Sequence, residues 1–296
     1  MESKNTIDLN NNFSGLKWLI FNEIFTITHI VLIKTLVSDF SVFQIVFIRA
    51  ISSSVFILPL FFIFDNKNSL LKSFNTNVIR VLSSFLAISI QFYSISNIQL
   101  AQASTISYLR PAVLSLIAYF FLFEKQTISR WVVIVIGFAS ILFIFSPEKS
   151  FIQLVAFIAF LGVCFGASST IIQKHLSKTF SELHLMVWYS AGISIVSMPF
   201  ALFFWKNPDR TELIFMVLSG LLASSAQFFF IKAYRLSQAS FLAPIQYFHI
   251  LPIMIIGYIL FNETPSIQTI LGSMTIIISL VLLLLWEKKG YKNYKN

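Results

Sequence analysis

Long apolar segments recur along the whole 296-residue chain and are separated by short polar connections. A helix needs about 20 mostly apolar residues to cross a hydrocarbon core about 30 Å thick. Ten segments meet this requirement, at 15–37, 41–64, 77–97, 100–123, 128–146, 150–172, 183–205, 211–233, 237–261 and 266–286. The pattern therefore predicts an all-α integral membrane protein with ten transmembrane helices.

The composition agrees with this class. Hydrophobic residues make up 57% of the chain and charged residues 11%, whereas soluble domains are about a quarter charged. A net charge of +9 would suggest a nucleic-acid partner in a soluble protein. Here most basic residues fall in short connections, where they set the membrane orientation. The sequence therefore predicts a lipid bilayer, and no nucleic acid, as the partner of the chain.

The distribution of Lys and Arg predicts the orientation. With a cytoplasmic N-terminus, 15 of these residues, Arg80 included, fall in inside segments and 4 in outside segments, while Arg49 and Arg110 lie within the membrane. This bias predicts a multi-pass protein of a bacterial inner membrane with both termini in the cytoplasm. We expect a disordered cytoplasmic tail at 1–14 and a basic cytoplasmic tail at 287–296.

The chain contains an internal repeat. Residues 91–104 align with 227–240 at an offset of 136, and seven of the 14 aligned positions are identical. After a three-residue insertion the match resumes at an offset of 139, which pairs Tyr108 with Tyr247 and Glu124 with Glu263. Chance similarity between apolar helices accounts for shared Leu and Phe, but not for shared Gln and Glu.

The repeat has a topological consequence. The first copy spans 15–146 and the second 150–286, with five predicted helices each. Because five is odd, the second copy enters the membrane from the opposite side. Inverted repeats are typical of secondary transporters, whose substrate site lies near the midplane between the halves.

Four ionisable residues lie deep inside the predicted spans. A rise of about 1.5 Å per helical residue puts them about 12–18 Å from a membrane face, and they are Glu23, Arg49, Arg110 and His249. Charges at such depth are costly and persist where they line a cavity or form a pair. Either an arginine clamps a carboxylate or phosphate while Glu23 binds an ammonium or exchanges a proton, or Glu23 and Arg49 form an ion pair.

Aromatic and amide side chains are further candidates for the substrate site, since they can stack on a ring or a cation or form hydrogen bonds. They are Tyr93, Tyr108, Trp188, Tyr189, Tyr247, Gln91 and Gln227. Ordinary packing is the alternative for each aromatic residue and for His249. Candidate hinges or helix breaks are prolines that free a backbone carbonyl inside a span, namely Pro111, Pro244 and Pro252.

The sequence carries no sign of an enzyme. It has a single cysteine, Cys164, so neither an intramolecular disulfide nor a Cys/His metal cluster is expected. A Gly-rich phosphate loop and a nucleophile elbow are both missing from the sequence. We therefore expect no cofactor, no metal and no catalytic residue.

Short motifs occur at matching places in the two halves. In the first half they are 101–104 (Ala-Gln-Ala-Ser), Arg110-Pro111, Glu124 and 130–137. In the second half they are 237–240 (Ser-Gln-Ala-Ser), Ala243-Pro244 and 261–265 (Phe-Asn-Glu-Thr-Pro). As a set they resemble the EamA-like family of the drug/metabolite transporter superfamily, over about 16–285. The resemblance implies ten helices, cytoplasmic termini and alternating access around a central cavity.

Within that family, several stretches are similar to the S-adenosylmethionine carriers of intracellular bacteria. They are 130–133, 189–191, 196–199, Lys232-Ala233, Ala243-Pro244 with Tyr247, and 286–289. The chain departs from the expected pattern at His249, where those carriers should have a carboxylate, and at Gln246, where they should have a base. The resemblance implies uptake or exchange of S-adenosylmethionine.

The expected function is a secondary transporter of a small polar metabolite, as a monomer or homodimer. S-adenosylmethionine is the substrate that the resemblance names, and export of amino acids or drug-like metabolites is the alternative. A lipid-modifying membrane enzyme would need acids or histidines clustered at one interface. A membrane assembly subunit that transports nothing would not need arginines in mid-membrane.

The inverted topology predicts that Glu124 and Glu263 lie on opposite sides of the membrane. In a Cys164→Ala background, the single variants Glu124→Cys and Glu263→Cys are expected to react with a membrane-impermeant thiol reagent from opposite sides. Labelling of both positions from the same side contradicts the inverted repeat.

Overall fold

The computed structural model describes residues 9–65, 72–107, 109–110, 113–114, 116–117, 128–145, 150–236 and 250–293. Within these ranges every regular element is a helix. In chain order the helices are α1 (Leu9–Leu36), α2 (Val42–Phe64), α3 (Phe74–Asn97), α4 (Leu100–Ser107), α5 (Ile128–Phe145), α6 (Ser150–Leu176), α7 (Glu182–Phe203), α8 (Arg210–Leu236), α9 (Ile250–Phe261) and α10 (Ile267–Asn293).

Six of these helices are long and apolar enough to cross a membrane. The segments are Gly15–Leu36, Val42–Phe64, Phe74–Asn97, Ile152–Leu176, Glu182–Phe203 and Arg210–Ala233. Large apolar side chains on them face outward, and Phe64 and Phe203 are 74% and 81% exposed. A surface of this kind is suited to lipid rather than to water. For α4, α5, α9 and α10, membrane crossing stays a prediction.

Some boundaries differ from the predicted ones. α1 begins at Leu9 rather than at Gly15, and α10 continues to Asn293, so helix extends into both predicted tails. Extending an existing helix adds a hydrogen bond per residue without a new nucleation cost, which is why polar flanks continue it. α8 runs through Leu236, beyond the predicted span end at 233. The break between the predicted spans 77–97 and 100–123 is present, since α3 ends at Asn97 and α4 begins at Leu100.

α2 and α7 begin in the same way. Ser41 and Ser181 are their N-caps, and each hydroxyl accepts a hydrogen bond from the N–H three residues later, at 3.2 Å from Gln44 and 3.1 Å from His184. Such a cap satisfies one of the free N–H groups of a helix start. Each helix also contains a proline at the equivalent place, 140 positions apart in the chain, Pro59 and Pro199.

The helices pack in pairs that cross between the halves of the chain. The most extensive contacts join α1 to α8, α2 to α7, α3 to α6 and α5 to α10, and α4 packs on α9. Exchanging α1–α5 for α6–α10 converts the pairs α1–α8 and α3–α6 into each other and leaves each of the other three pairs unchanged. The buried apolar core is therefore shared by both halves, in the pattern of a pseudo-two-fold arrangement.

Glu263 joins three helices at one end of the bundle. Its Oε1 lies 2.8 Å from Lys34 Nζ near the end of α1, and its Oε2 accepts from the Leu100 N–H at the start of α4 at 2.7 Å. Lys34 also donates to the carbonyl oxygens of Ile95 and Ile98, at 2.9 and 3.3 Å. A carboxylate at a helix N-terminus is favoured by the helix dipole. One side chain thus connects α1, the end of α3 and the start of α4.

α2 and α8 approach each other closely at Gly220. A Cβ at this position would overlap Ser52 Oγ and the carbonyl oxygen of Arg49. We expect Gly220→Ala to cost about 1–3 kcal/mol of stability, because backbone atoms do not move aside as a side chain does. The control is Ser225→Ala, which removes a hydroxyl that bonds within its own helix. Thermal unfolding should show a lower Tm for Gly220→Ala alone, and a Tm equal to that of the unaltered protein contradicts the close contact.

Candidate functional site

A polar cavity of about 270 Å³ lies inside the bundle. Residues of α1, α2, α3, α4, α6, α7 and α8 form its walls, together with Arg110. This volume is just below the range of about 300–1,000 Å³ that is usual for drug-sized ligands. The polar lining side chains are Asn22, Glu23, Thr26, His29, Arg49, Ser84, Gln91, Ser104, Ser107, Arg110, Ser169, Thr170, Gln173, Tyr189 and Gln227.

Six of the eleven residues predicted as candidates for the substrate site line this cavity. They are Glu23, Arg49, Gln91, Arg110, Tyr189 and Gln227. Gln91 and Gln227, which the offset of 136 pairs, therefore line the same cavity from the two halves of the chain. Polar residues that are spread over about 200 positions of the sequence therefore line one cavity.

Arg49 is almost entirely buried and points towards α1 and α3. Its Nη1 lies 3.3 Å from His29 Nε2, and its guanidinium carbon lies 5.6 Å from the centre of the Phe92 ring. A guanidinium has donors only, so His29 Nε2 is the acceptor. Arg49 thus contacts His29 of α1, the helix that also carries Glu23. The alternative of a Glu23–Arg49 ion pair stays a prediction.

Arg110 lies against α6. A Cβ on Gly166 would come within 3.3 Å of the Arg110 Nη2 and 3.5 Å of its Cζ, so the guanidinium rests on the bare backbone of this glycine. Arg49 and Arg110 both bring donors to the cavity, and Glu23 brings an acceptor. Two guanidinium groups match a carboxylate or phosphate, and a carboxylate matches an ammonium or sulfonium.

A second polar cluster lies where α3, α6 and α8 meet. Gln173 Oε1 accepts from Gln227 Nε2 at 2.9 Å and from Arg80 Nη2 at 2.8 Å. Arg80 also donates to the Leu185 carbonyl oxygen at 2.9 Å and is 1% exposed. The sequence counts Arg80 among the basic residues of the inside segments, and the structure shows that its side chain is buried. It lies inside α3, and α6 and α7 cover it and supply its acceptors.

Two predicted aromatic residues do not reach the cavity. Tyr93 follows Gln91 by two positions, which places it about 200° round α3, and it is 36% exposed on the outside. Trp188 precedes the lining residue Tyr189 and packs edge to face on Phe74, with ring centres 5.4 Å apart. Both residues therefore have the packing role that the sequence left as their alternative.

The remaining candidates fall elsewhere. Tyr108, Tyr247, His249, Pro111 and Pro244 lie outside the residues that the structure describes, so their roles stay predictions. Pro252 lies within the described part of α9, which begins at Ile250, and its role as a hinge stays a prediction.

Several lining residues were not predicted, and a second offset would have found them. At an offset of 140 positions, four pairs of lining residues correspond between the two halves of the chain. The pairs are Thr26 with Gly166, His29 with Ser169, Ile30 with Thr170, and Arg49 with Tyr189. None of these pairs is identical, so a search for identical residues does not detect them. The serine caps and helix prolines of α2 and α7 carry the same offset.

Comparison with known proteins places the chain in a class. The EamA-like transporter family matches it twice, over 13–146 and 153–285, so the chain belongs to this family. It is a multi-pass membrane protein of a transporter family, which confirms the resemblance noted in its motifs.

Individual relatives cover most of the chain. The S-adenosylmethionine uptake transporter of Rickettsia prowazekii (strain Madrid E) is 28% identical over 285 residues, which is 95% of this chain and 96% of that protein. The riboflavin transporter of Vibrio cholerae serotype O1 is 23% identical over 227 residues, 76% of each chain. A solved crystal structure with a TM-score of 0.69 and 11% identity covers 93% of this chain and 98% of that chain, and supports the fold alone.

The cavity geometry predicts the effect of removing its cations. Arg49→Ala and Arg110→Ala should each lower transport by about ten- to hundredfold, since a hydrogen bond to a charged group contributes about 1.5–3 kcal/mol. Membrane insertion should be unchanged, and Arg210→Ala at the exposed start of α8 is the control. Uptake assays with quantified membrane protein test this, and normal transport by both cavity variants counts against the site.

Proposed function

We propose that this protein is a secondary transporter that carries S-adenosylmethionine across the membrane, by uptake or exchange. Four relatives that bear the name of S-adenosylmethionine uptake transporter match 93–95% of the chain at 27–28% identity. Their match extends over both halves, which supports a common substrate class as well as a common fold.

The observation that carries the proposal is the presence of both signs of charge in one cavity. S-adenosylmethionine has a carboxylate, an ammonium, a positive sulfonium and an adenine ring. Arg49 and Arg110 suit the carboxylate, and Glu23 suits the ammonium or the sulfonium. Tyr189 and Phe230, which also line the cavity, offer aromatic faces to the ring or to the cation.

Alternating access is proposed to come from two inverted repeats of five helices. The support is structural as well as sequential, since residues paired at offsets of 136 and 140 line the same cavity. The set of main helix pairs also stays the same when α1–α5 are exchanged for α6–α10. A site shared by two such halves opens to either side when one half rocks against the other. Both termini are proposed to be cytoplasmic, in a bacterial inner membrane, from the bias of Lys and Arg.

Export of amino acids is the second candidate. It is favoured by the cavity volume of about 270 Å³, which suits a free amino acid better than a larger nucleoside derivative. The same charges would hold the carboxylate and ammonium of the amino acid. The two candidates therefore differ in the need for an adenine-sized compartment and not in the charged groups.

Ligand-induced stabilisation distinguishes these candidates. The purified protein is heated with S-adenosylmethionine, S-adenosylhomocysteine, free amino acids or riboflavin, each over a range of concentrations. We expect the largest increase of Tm with S-adenosylmethionine, because a ligand at 100 times its Kd stabilises the folded state by about 2.7 kcal/mol. S-adenosylhomocysteine lacks the sulfonium charge and should stabilise less.

Uptake of labelled S-adenosylmethionine into proteoliposomes then tests transport itself. The Arg49→Ala variant serves as the matched control, and it should show neither the increase of Tm nor the uptake. Stabilisation by amino acids alone, with no uptake of S-adenosylmethionine, overturns the proposal in favour of the second candidate.

A further inference from the structure

Arg80 is a buried arginine without an acidic partner in the part of the chain that the structure describes. Its Nη1 and Nη2 donate to neutral acceptors, the Leu185 carbonyl oxygen at 2.9 Å and Gln173 Oε1 at 2.8 Å. Its Nε has no hydrogen-bond partner. A guanidinium stays charged in proteins, so a full positive charge lies inside α3 with neutral dipoles as its only described compensation.

The Arg80 guanidinium lies directly behind the cavity wall. Gln173 and Tyr189 line the cavity and also contact Arg80, with 5.7 Å between the guanidinium carbon and the centre of the Tyr189 ring. Ser84, one turn along α3, lines the cavity as well. Gln173 and Tyr189 therefore lie between Arg80 and the cavity.

The second half of the chain shows what packing alone requires at this place. The offset of 136 makes Arg80 correspond to Met216 of α8, which is fully buried in the apolar core. At an offset of 140, the acceptor Gln173 corresponds to the fully buried Ile33, and Leu185, which accepts through its backbone, corresponds to the equally aliphatic Ile45. Apolar side chains thus fill the equivalent place in the other half. Helix packing does not need a charge there, so the charge of Arg80 calls for another explanation.

We propose that Arg80 is a second anion-binding position on the transport path, which takes the carboxylate of the substrate after Arg49 and Arg110. The inference rests on the proposed function and adds a step to it. Arg80 lies 12 positions from Phe92, the α3 residue beside Arg49, which is about 18 Å along the helix axis. One carboxylate therefore contacts Arg49 and Arg80 in turn rather than together.

The transfer leaves no polar group without a partner. The carboxylate replaces Gln173 Oε1 as the acceptor and can take two parallel hydrogen bonds from the guanidinium. Gln173 keeps Gln227 as its donor, at 2.9 Å. The Leu185 carbonyl oxygen, in the first turn of α7, retains its bond within that helix. Because each released group already has a second partner, the exchange avoids the cost of an unsatisfied buried donor or acceptor.

The first test is Arg80→Met, which installs the side chain found at the equivalent place in the other half. A buried charge exchanged for a packed apolar residue is often neutral or stabilising. We therefore expect a Tm equal to or above that of the unaltered protein and an S-adenosylmethionine Kd changed by less than about threefold, because Arg49 and Arg110 are intact. The uptake rate should fall by about tenfold or more, as for loss of a hydrogen bond to a charged group.

The second test is Gln173→Glu, which keeps Arg80 and places a permanent carboxylate against it. This variant should fold, since it completes an ion pair, and its uptake rate should also fall by about tenfold because the anion position is occupied. Arg235→Met is the control, since it removes another arginine from the end of α8, where it pairs with Glu182 outside the cavity. Its uptake rate should stay within about twofold of the unaltered rate.

The outcomes separate this inference from the proposed function. Uptake at the unaltered rate by Arg80→Met or by Gln173→Glu overturns the anion position while leaving the proposed function in place. A lower Tm for Arg80→Met together with normal uptake by Gln173→Glu assigns Arg80 a structural role. If Arg80→Met does not fold, Gln173→Glu decides alone. Absence of any S-adenosylmethionine uptake by the unaltered protein overturns the proposed function and this inference with it.

Discussion

The architecture depends on one constraint, which is that a polar group inside hydrocarbon must find its partner within the protein. Many hydroxyls meet it locally, as when Thr105 donates to the Ala101 carbonyl oxygen of its own helix at 2.8 Å. Longer side chains meet it across helices, as when Asn22 donates to the Ala226 carbonyl oxygen at 2.9 Å. The guanidinium groups of Arg49 and Arg110 have more N–H donors than bonds within a helix or between two helices alone satisfy. Both arginines lie at the polar cavity between the helices.

Two similar halves build that cavity, but they do not contribute the same chemistry to it. Where one half has Arg49 and Arg80, the other has Tyr189 and Met216 at the corresponding positions. The scaffold is therefore close to symmetric in its helix contacts and asymmetric in its charges. Under the proposed alternating access, a symmetric scaffold gives two related ways to open the cavity, and an asymmetric set of charges lets the two openings treat an ionic substrate differently.

Part of the cavity could be predicted because depth and repetition are visible along a chain. The spacing within each span places Glu23, Arg49 and Arg110 far from the membrane faces, and the repeat singles out Gln91 and Gln227. The sequence does not show which side of a helix faces the cavity. For that reason Tyr93 was predicted to face the cavity, whereas it lies on the other side of α3. Arg80 lies near the start of a predicted span, and only the covering helices α6 and α7 show that it is buried.

The sequence by itself determined that the chain is a helical membrane protein with a repeated plan, since apolar length, the placement of basic residues and internal similarity are properties of the chain alone. The tertiary structure decided which polar residues share a cavity and which merely pack. Arg49 contacts His29, and Arg80 contacts Gln173. Such pairings depend on how helices from the two halves face one another, and no periodicity within a single helix encodes that.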